Sequence, residues 1–191
     1  MKIYQSRAVK AQHLLYDKLL YPSIDEVPEH LTSLSLRLYE ALQRKDSQTI
    51  HQVKNHHPEF LGAEHTSIMN STFTLMDAQT IIAKEYGYKN WTEVLKEQQL
   101  IDKNFEKAID YIVTGDLELL KKILTQHSYL KTAVSHFGHR ATLLHYTASN
   151  GVEIFRQKVP ENLSDVIALL LTFGLDKNAE INVYGGKHNT L

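Results

Sequence analysis

The chain contains no cysteine. Disulfides, thiolate zinc sites and a cysteine nucleophile are thereby excluded, and the composition fits a reducing compartment. Charge of one sign is not in excess either. Lys plus Arg is 21 and Asp plus Glu is 22, giving a formal charge of −1. The balance is local as well as global: residues 1–100 carry 11 basic and 12 acidic side chains, and residues 101–191 carry 10 of each. Neither half is a basic arm, so no nucleic-acid partner is expected. Long apolar runs are also missing. The longest, residues 166–171, is far short of the roughly 20 residues a spanning helix needs. Residues 1–18 mix polar and apolar types and lack the core of a signal peptide. The expectation is a cytoplasmic chain without membrane contact.

Catalytic signatures are lacking too. H-E-x-x-H, G-x-S-x-G, G-x-x-x-x-G-K-[ST] and G-x-G-x-x-G do not occur. No catalytic, cofactor or metal site is expected. Histidine, at 11 residues, is the one feature that invites a metal. Its best cluster is His136 with His139 and His145, but zinc needs three or four converging ligands, and capping or solvated histidines are the simpler reading. Should there be chemistry in the N-terminal half, His56, His57, Glu59, Glu64 and His65 are the residues that would carry it.

What is present is an ordinary globular composition, 42% hydrophobic and 23% charged, enough for one domain or two small ones. Proline, at 4, and glycine, at 8, are scarce and sit at breaks. Between the breaks apolar residues recur at three and four, which predicts an all-α fold. Helices are expected over 5–20, with Val9, Leu14, Leu15, Lys18 and Leu19 outlining one face, and over 32–44. A third follows Asp46 as N-cap. Residues 59–72 read as polar and irregular. Residues 74–99 predict a helical hairpin, with Gly87 as a C-cap and Asn90 and Glu93 as a capping box. From Asn104 a further pair begins, turning at Gly115.

The segment 141–151, with Thr142, Leu144, His145, Ala148 and Gly151, resembles the ankyrin signature T-P-L-H-x-A followed by a glycine, with Leu143 in place of the proline. Residues 166–178 resemble the second ankyrin helix and its turn, which contains Gly174. In that reading Thr142 caps the first helix and His145 ties its turn to a neighbouring backbone. Ala148 is small where helices approach, and Gly151 supplies the turn. About six residues are expected between Gly151 and the leucine run that begins at Leu169, but 17 are found, so an 11-residue insertion is placed at 152–162. With the hairpin at 77–91, these segments resemble a group of bacterial ankyrin-repeat proteins. The resemblance implies a helical N-terminal region over 1–102 and stacked helix-turn-helix repeats over 103–191, an α-solenoid whose last repeat is incomplete.

The resemblance implies a non-enzymatic protein-protein interaction module, with an enzyme or host-directed bacterial effector as the alternative. Partner contacts are expected on loops that the scaffold does not need. Phe155, Arg156 and Lys158 in the insertion lead, followed by Tyr184, His139 and Tyr146. Deleting 152–162 would restore an ordinary repeat, so the insertion reads as a loop the scaffold does not need, with Phe155 folding back to cover the adjacent repeat as the alternative.

Overall fold

The computed structural model describes residues 2–22, 25–148, 152–183 and 186–189. Most of the described residues are helical, in nine α-helices joined by short 3-10 turns, with two small two-stranded sheets.

Strand β1 (Ile3–Gln5) leads into α1 (Arg7–Tyr16), which Ser6 caps by accepting from the Val9 amide. The helix ends earlier than its sequence suggests. Asp17 takes φ +48° and the chain continues as a 3-10 turn to Leu20. This break corrects the expected face. Val9, Gln12, Leu15 and Tyr16 point inward, whereas Leu14 is 71% exposed and Leu19 also faces solvent. Helix α2 (Val27–Gln43) starts five residues before the expected boundary because Pro28 sits in its first turn, where a missing N–H costs nothing. Asp46 caps the turn into α3 (Ile50–His56) by accepting from Gln48. Helix α4 (His65–Asn70) lies in the segment expected to be irregular; it is short and buries only Ile68, too little to leave a periodic signal. Helices α5 (Leu75–Glu85) and α6 (Trp91–Leu95) form the expected hairpin, and α2 packs along α5. Asn90 caps α6 through Glu93 N–H, but the Glu93 carboxylate reaches Lys89 N–H, so the cap is one-sided.

The second half opens with α7 (Lys103–Thr114), capped by Asp102 and ended by Gly115 at φ +75°. Helix α8 (Leu117–Gln126) returns antiparallel from its cap Asp116. Where a second helix pair is expected, its first member is only a 3-10 turn over Leu143–Thr147. Thr142 and His145 do cap it reciprocally, and His145 Nε2 reaches the Ala179 carbonyl at 3.0 Å. Ala148 ends this turn, and Gly151 lies outside the described residues. Strand β2 (Lys158–Pro160) pairs antiparallel with β1, setting Gln5 opposite Lys158. Helix α9 (Leu163–Thr172) follows and turns at Gly174, also at positive φ. Strands β3 (Ile181–Val183) and β4 (Gly186–His188) close the described chain as a hairpin.

Two apolar clusters divide near Asp102. The first is built on Leu31, Leu34, Leu38, Ile81 and Ile82, the second on Phe105, Ile109, Ile112, Leu120, Val166 and Leu170. Phe137 and Phe155 cross the divide, lying in the first cluster although they come from the second half. Each buried phenylalanine is worth about 1.5–3 kcal/mol, so these two rings hold the parts together.

Candidate binding cleft

The insertion is not a displayed loop, and this corrects the leading contact candidates. Phe155 and Arg156 are each 2% exposed. The Phe155 ring meets His13 and Tyr21 edge-on, at 6.3 and 5.9 Å between centroids. Arg156 points the other way, to Glu106 at 2.7 Å and Asp110 at 3.5 Å on α7. Its guanidinium also lies over the Phe155 and Tyr146 rings, at 4.9 and 5.9 Å. Lys158 is half-buried in β2 rather than free on a loop. His139 and Tyr146 are buried as well. Tyr184 lies outside the described residues. The physical reason is that adjacent residues of the insertion serve both clusters, Phe155 the first and Arg156 the second. The segment is an internal clasp.

The charges around Arg156 do not balance one to one. Glu106, Asp110 and Glu153 surround a single guanidinium, and all three affect its charge. Burial pushes the Glu106 carboxyl up to about 7, against the pull of Arg156. Asp110 is raised for the same first reason. Glu153 moves oppositely. Burial would raise it, but His139 and Arg156 together draw it down to about 2. His139 Nδ1 accepts from the Ala141 amide at 3.1 Å, so its Nε2 carries the proton that faces Glu153 Oε1 at 3.3 Å.

Glu106 has a testable pH signature. The folded chain keeps a proton that the unfolded chain releases between pH 4.5 and 7, so this group's contribution to stability falls as pH rises through that window. His30, held down to about 4 by burial, works in the opposite sense below pH 6.5, so wild type alone mixes the two. Glu106→Gln mimics the protonated carboxyl and isolates the effect. Urea denaturation should show the variant gaining on wild type by on the order of 2–3 kcal/mol between pH 5 and pH 8. A difference that stays constant with pH would show that Glu106 does not titrate there.

A second buried carboxylate ties the clasp to the N-terminal helices. Glu85, at the end of α5, accepts from Gln12 Nε2 at 2.7 Å, Gln52 Nε2 at 2.5 Å and the Ile154 amide at 3.2 Å. Gln52 in turn accepts from the Tyr16 hydroxyl at 2.7 Å. Burial and the Glu85 charge raise Tyr16 well above its ordinary value, so it stays a donor.

Glu85 and Ile154 of this network line a cleft of about 1360 Å³ between the two halves. The N-terminal half contributes Lys54, His56, Leu61, Lys84, Gly87 and Lys89. The far wall carries Gly138, Ile154, Gln157 and Lys187. The walls meet at their base through two glycines. A Cβ on Gly87 would stand 2.3 Å from the His139 amide nitrogen, and one on Gly138 would stand 2.8 Å from the Gly87 carbonyl. His56 lines this space, but its Nε2 is buried and among the described residues has no hydrogen-bond partner; burial lowers its pKa although Glu85 opposes the shift.

No family model, curated protein or solved structure matches this chain. The cleft must therefore be read from its own residues.

The remaining polar residues of the N-terminal half do not gather with His56. His57 and Glu59 line a smaller cleft of about 340 Å³ with Phe73 and Asp77. His57 Nδ1 accepts from the Glu59 amide at 3.2 Å, so its protonated Nε2 donates to Asp77 Oδ1 at 3.3 Å. Asp77 also caps α5 through Thr74. The pair resembles part of a catalytic triad, but the nearby Ser71 hydroxyl donates to the Ser67 carbonyl, and the pair acts as a cap. Glu64 and His65 are exposed at the start of α4. Among the described residues no group of three His, Asp or Glu side chains is arranged to hold a metal, and no helix is long and apolar enough to cross a membrane. Sequence reasoning missed the cleft itself, because nothing local in the sequence marks Lys54, Lys84 and Lys89 as neighbours in space.

Proposed function

We propose that this chain is a non-enzymatic protein-interaction module of ankyrin type, whose recognition surface is the cleft between its halves. The cleft carries the proposal. Its walls come from both parts of the chain, and the inserted segment clamps those parts through Phe155, Arg156 and the Glu85 network. A surface held in this way loses little entropy on binding. Its volume exceeds the roughly 300–1,000 Å³ of small-molecule pockets, which favours a segment of polypeptide. The ankyrin assignment is supported by the Thr142–His145 cap, the α7–α8 pair and the hairpin after α9.

The test is site-specific photo-crosslinking in native lysate. A benzophenone side chain replaces Leu61, which is 63% exposed in the cleft, or Leu119, which is exposed on α8. A discrete covalent adduct is expected from Leu61 and not from Leu119. The adducted protein, purified, should bind the unmodified chain with a measurable Kd. Identical adducts from both positions, or none from Leu61, would overturn the proposal.

A further inference from the structure

The lysines of the cleft are not distributed as the composition would suggest. The chain has a net charge of −1, yet Lys54, Lys84, Lys89 and Lys187 all line one cavity. Lys187 is paired with Glu180 at 3.1 Å. Lys54, Lys84 and Lys89 are exposed, and among the described residues none of the three makes an ion pair. Two carboxylates line the same cleft, and both accept hydrogen bonds from other groups. Glu85 is held by Gln12, Gln52 and the Ile154 amide, and Glu93 accepts from the Lys89 backbone at 2.9 Å. Three exposed lysines without an ion-pair partner among the described residues thus line the cleft, from α3, from the last turn of α5 and from the turn before α6, against two acidic side chains.

The geometry points to an acidic, extended peptide segment as the occupant of this cleft, its carboxylates meeting Lys54, Lys84 and Lys89. This rests on the interaction-module reading above. Complementary charge would steer such a segment and set its register, and the exposed Leu61 and Pro58 offer an apolar contact beside the lysines. A nucleic acid is the other polyanion of suitable size. Single strands bind by stacking bases on exposed aromatic rings, and among the described residues the one tyrosine of the wall, Tyr88, is 7% exposed.

The experiment is fluorescence anisotropy on the full chain at two salt concentrations. The probes are three labelled peptides of equal length: one rich in Asp and Glu with a single Leu, its Gln counterpart and its Lys counterpart, with a labelled oligothymidine as a fourth. The acidic peptide alone should bind, and more weakly at high salt. Lys54→Glu combined with Lys84→Glu should weaken binding at least about tenfold. The circular dichroism spectrum should stay that of wild type, because both lysines are exposed. Equal binding of the Gln or Lys peptide, tighter binding of the oligonucleotide, or an unchanged affinity in the double variant would overturn the assignment. So would no binding of any probe. In that last case the Leu61 adduct reports separately whether the module reading survives.

Discussion

Arg156→Ala should lose about 3–5 kcal/mol of stability, the usual result of removing one partner from a buried ionic cluster. The side chain is 2% exposed and is the nearest cation to Glu106 and Asp110. Its loss leaves Glu106 and Glu153 buried beside the part-exposed Asp110, with His139 as the remaining basic neighbour of Glu153. It also removes a guanidinium stacked on Phe155 and Tyr146. The expected readout is a large drop in urea midpoint. The loss should be smaller at pH 5 than at pH 8, because Glu106 takes a proton in the lower range. If the variant does not fold at pH 8, Arg156→Met combined with Glu106→Gln tests the same idea. This pair removes one buried charge of each sign and should recover part of the stability. A loss below about 1 kcal/mol for Arg156→Ala would mean that the cluster is solvated and that the insertion is not a clasp.

Gly87→Ala should cost more than a turn glycine ordinarily does. The residue has φ +82°, where an L side chain is strained by roughly 1–2 kcal/mol. A Cβ there would also meet the backbone of His139, with N at 2.3 Å and Cα at 2.6 Å. Backbone cannot rotate away, so the walls of the cleft must separate. Gly62→Ala is the control. Its φ is +71°, but no atom lies within 4 Å of the position its Cβ would take. Thermal denaturation should show Gly62→Ala losing only the conformational part. Gly87→Ala should lose at least about 1–2 kcal/mol beyond it, by analogy with overpacked sites. Equal losses at the two positions would show that Gly87 and His139 do not touch as described.

Both predictions fall on residues whose type was legible but whose task was not. Gly87 is visible in the sequence as a helix stop, and it does take positive φ after α5. Its second role, contact with His139 on the far wall, has no local mark. Arg156 reads as an interface residue because a charged group in an inserted stretch is ordinarily solvated. Its burial is possible only because α7 places Glu106 and Asp110 on one face and the same insertion supplies Glu153.

What the sequence by itself determined is local. Helical periodicity placed α2, α5, α7 and α8, and the resemblance to an ankyrin repeat placed α9. Side chains that satisfy a helix end within three residues placed the caps at Asp46, Asn90 and Thr142, with His145 completing the last. Those energies depend on neighbours in the chain, so a one-dimensional reading can find them. Only the tertiary structure decided the rest: the pairing of β1 with β2, the inward turn of Phe155 and Arg156, and the gathering of Lys54, Lys84 and Lys89 around one cleft. The free energy of a buried charge, or of a strand three residues long, is set by what lies opposite it in space. For this chain the partners are as far apart as Ile3 and Pro160.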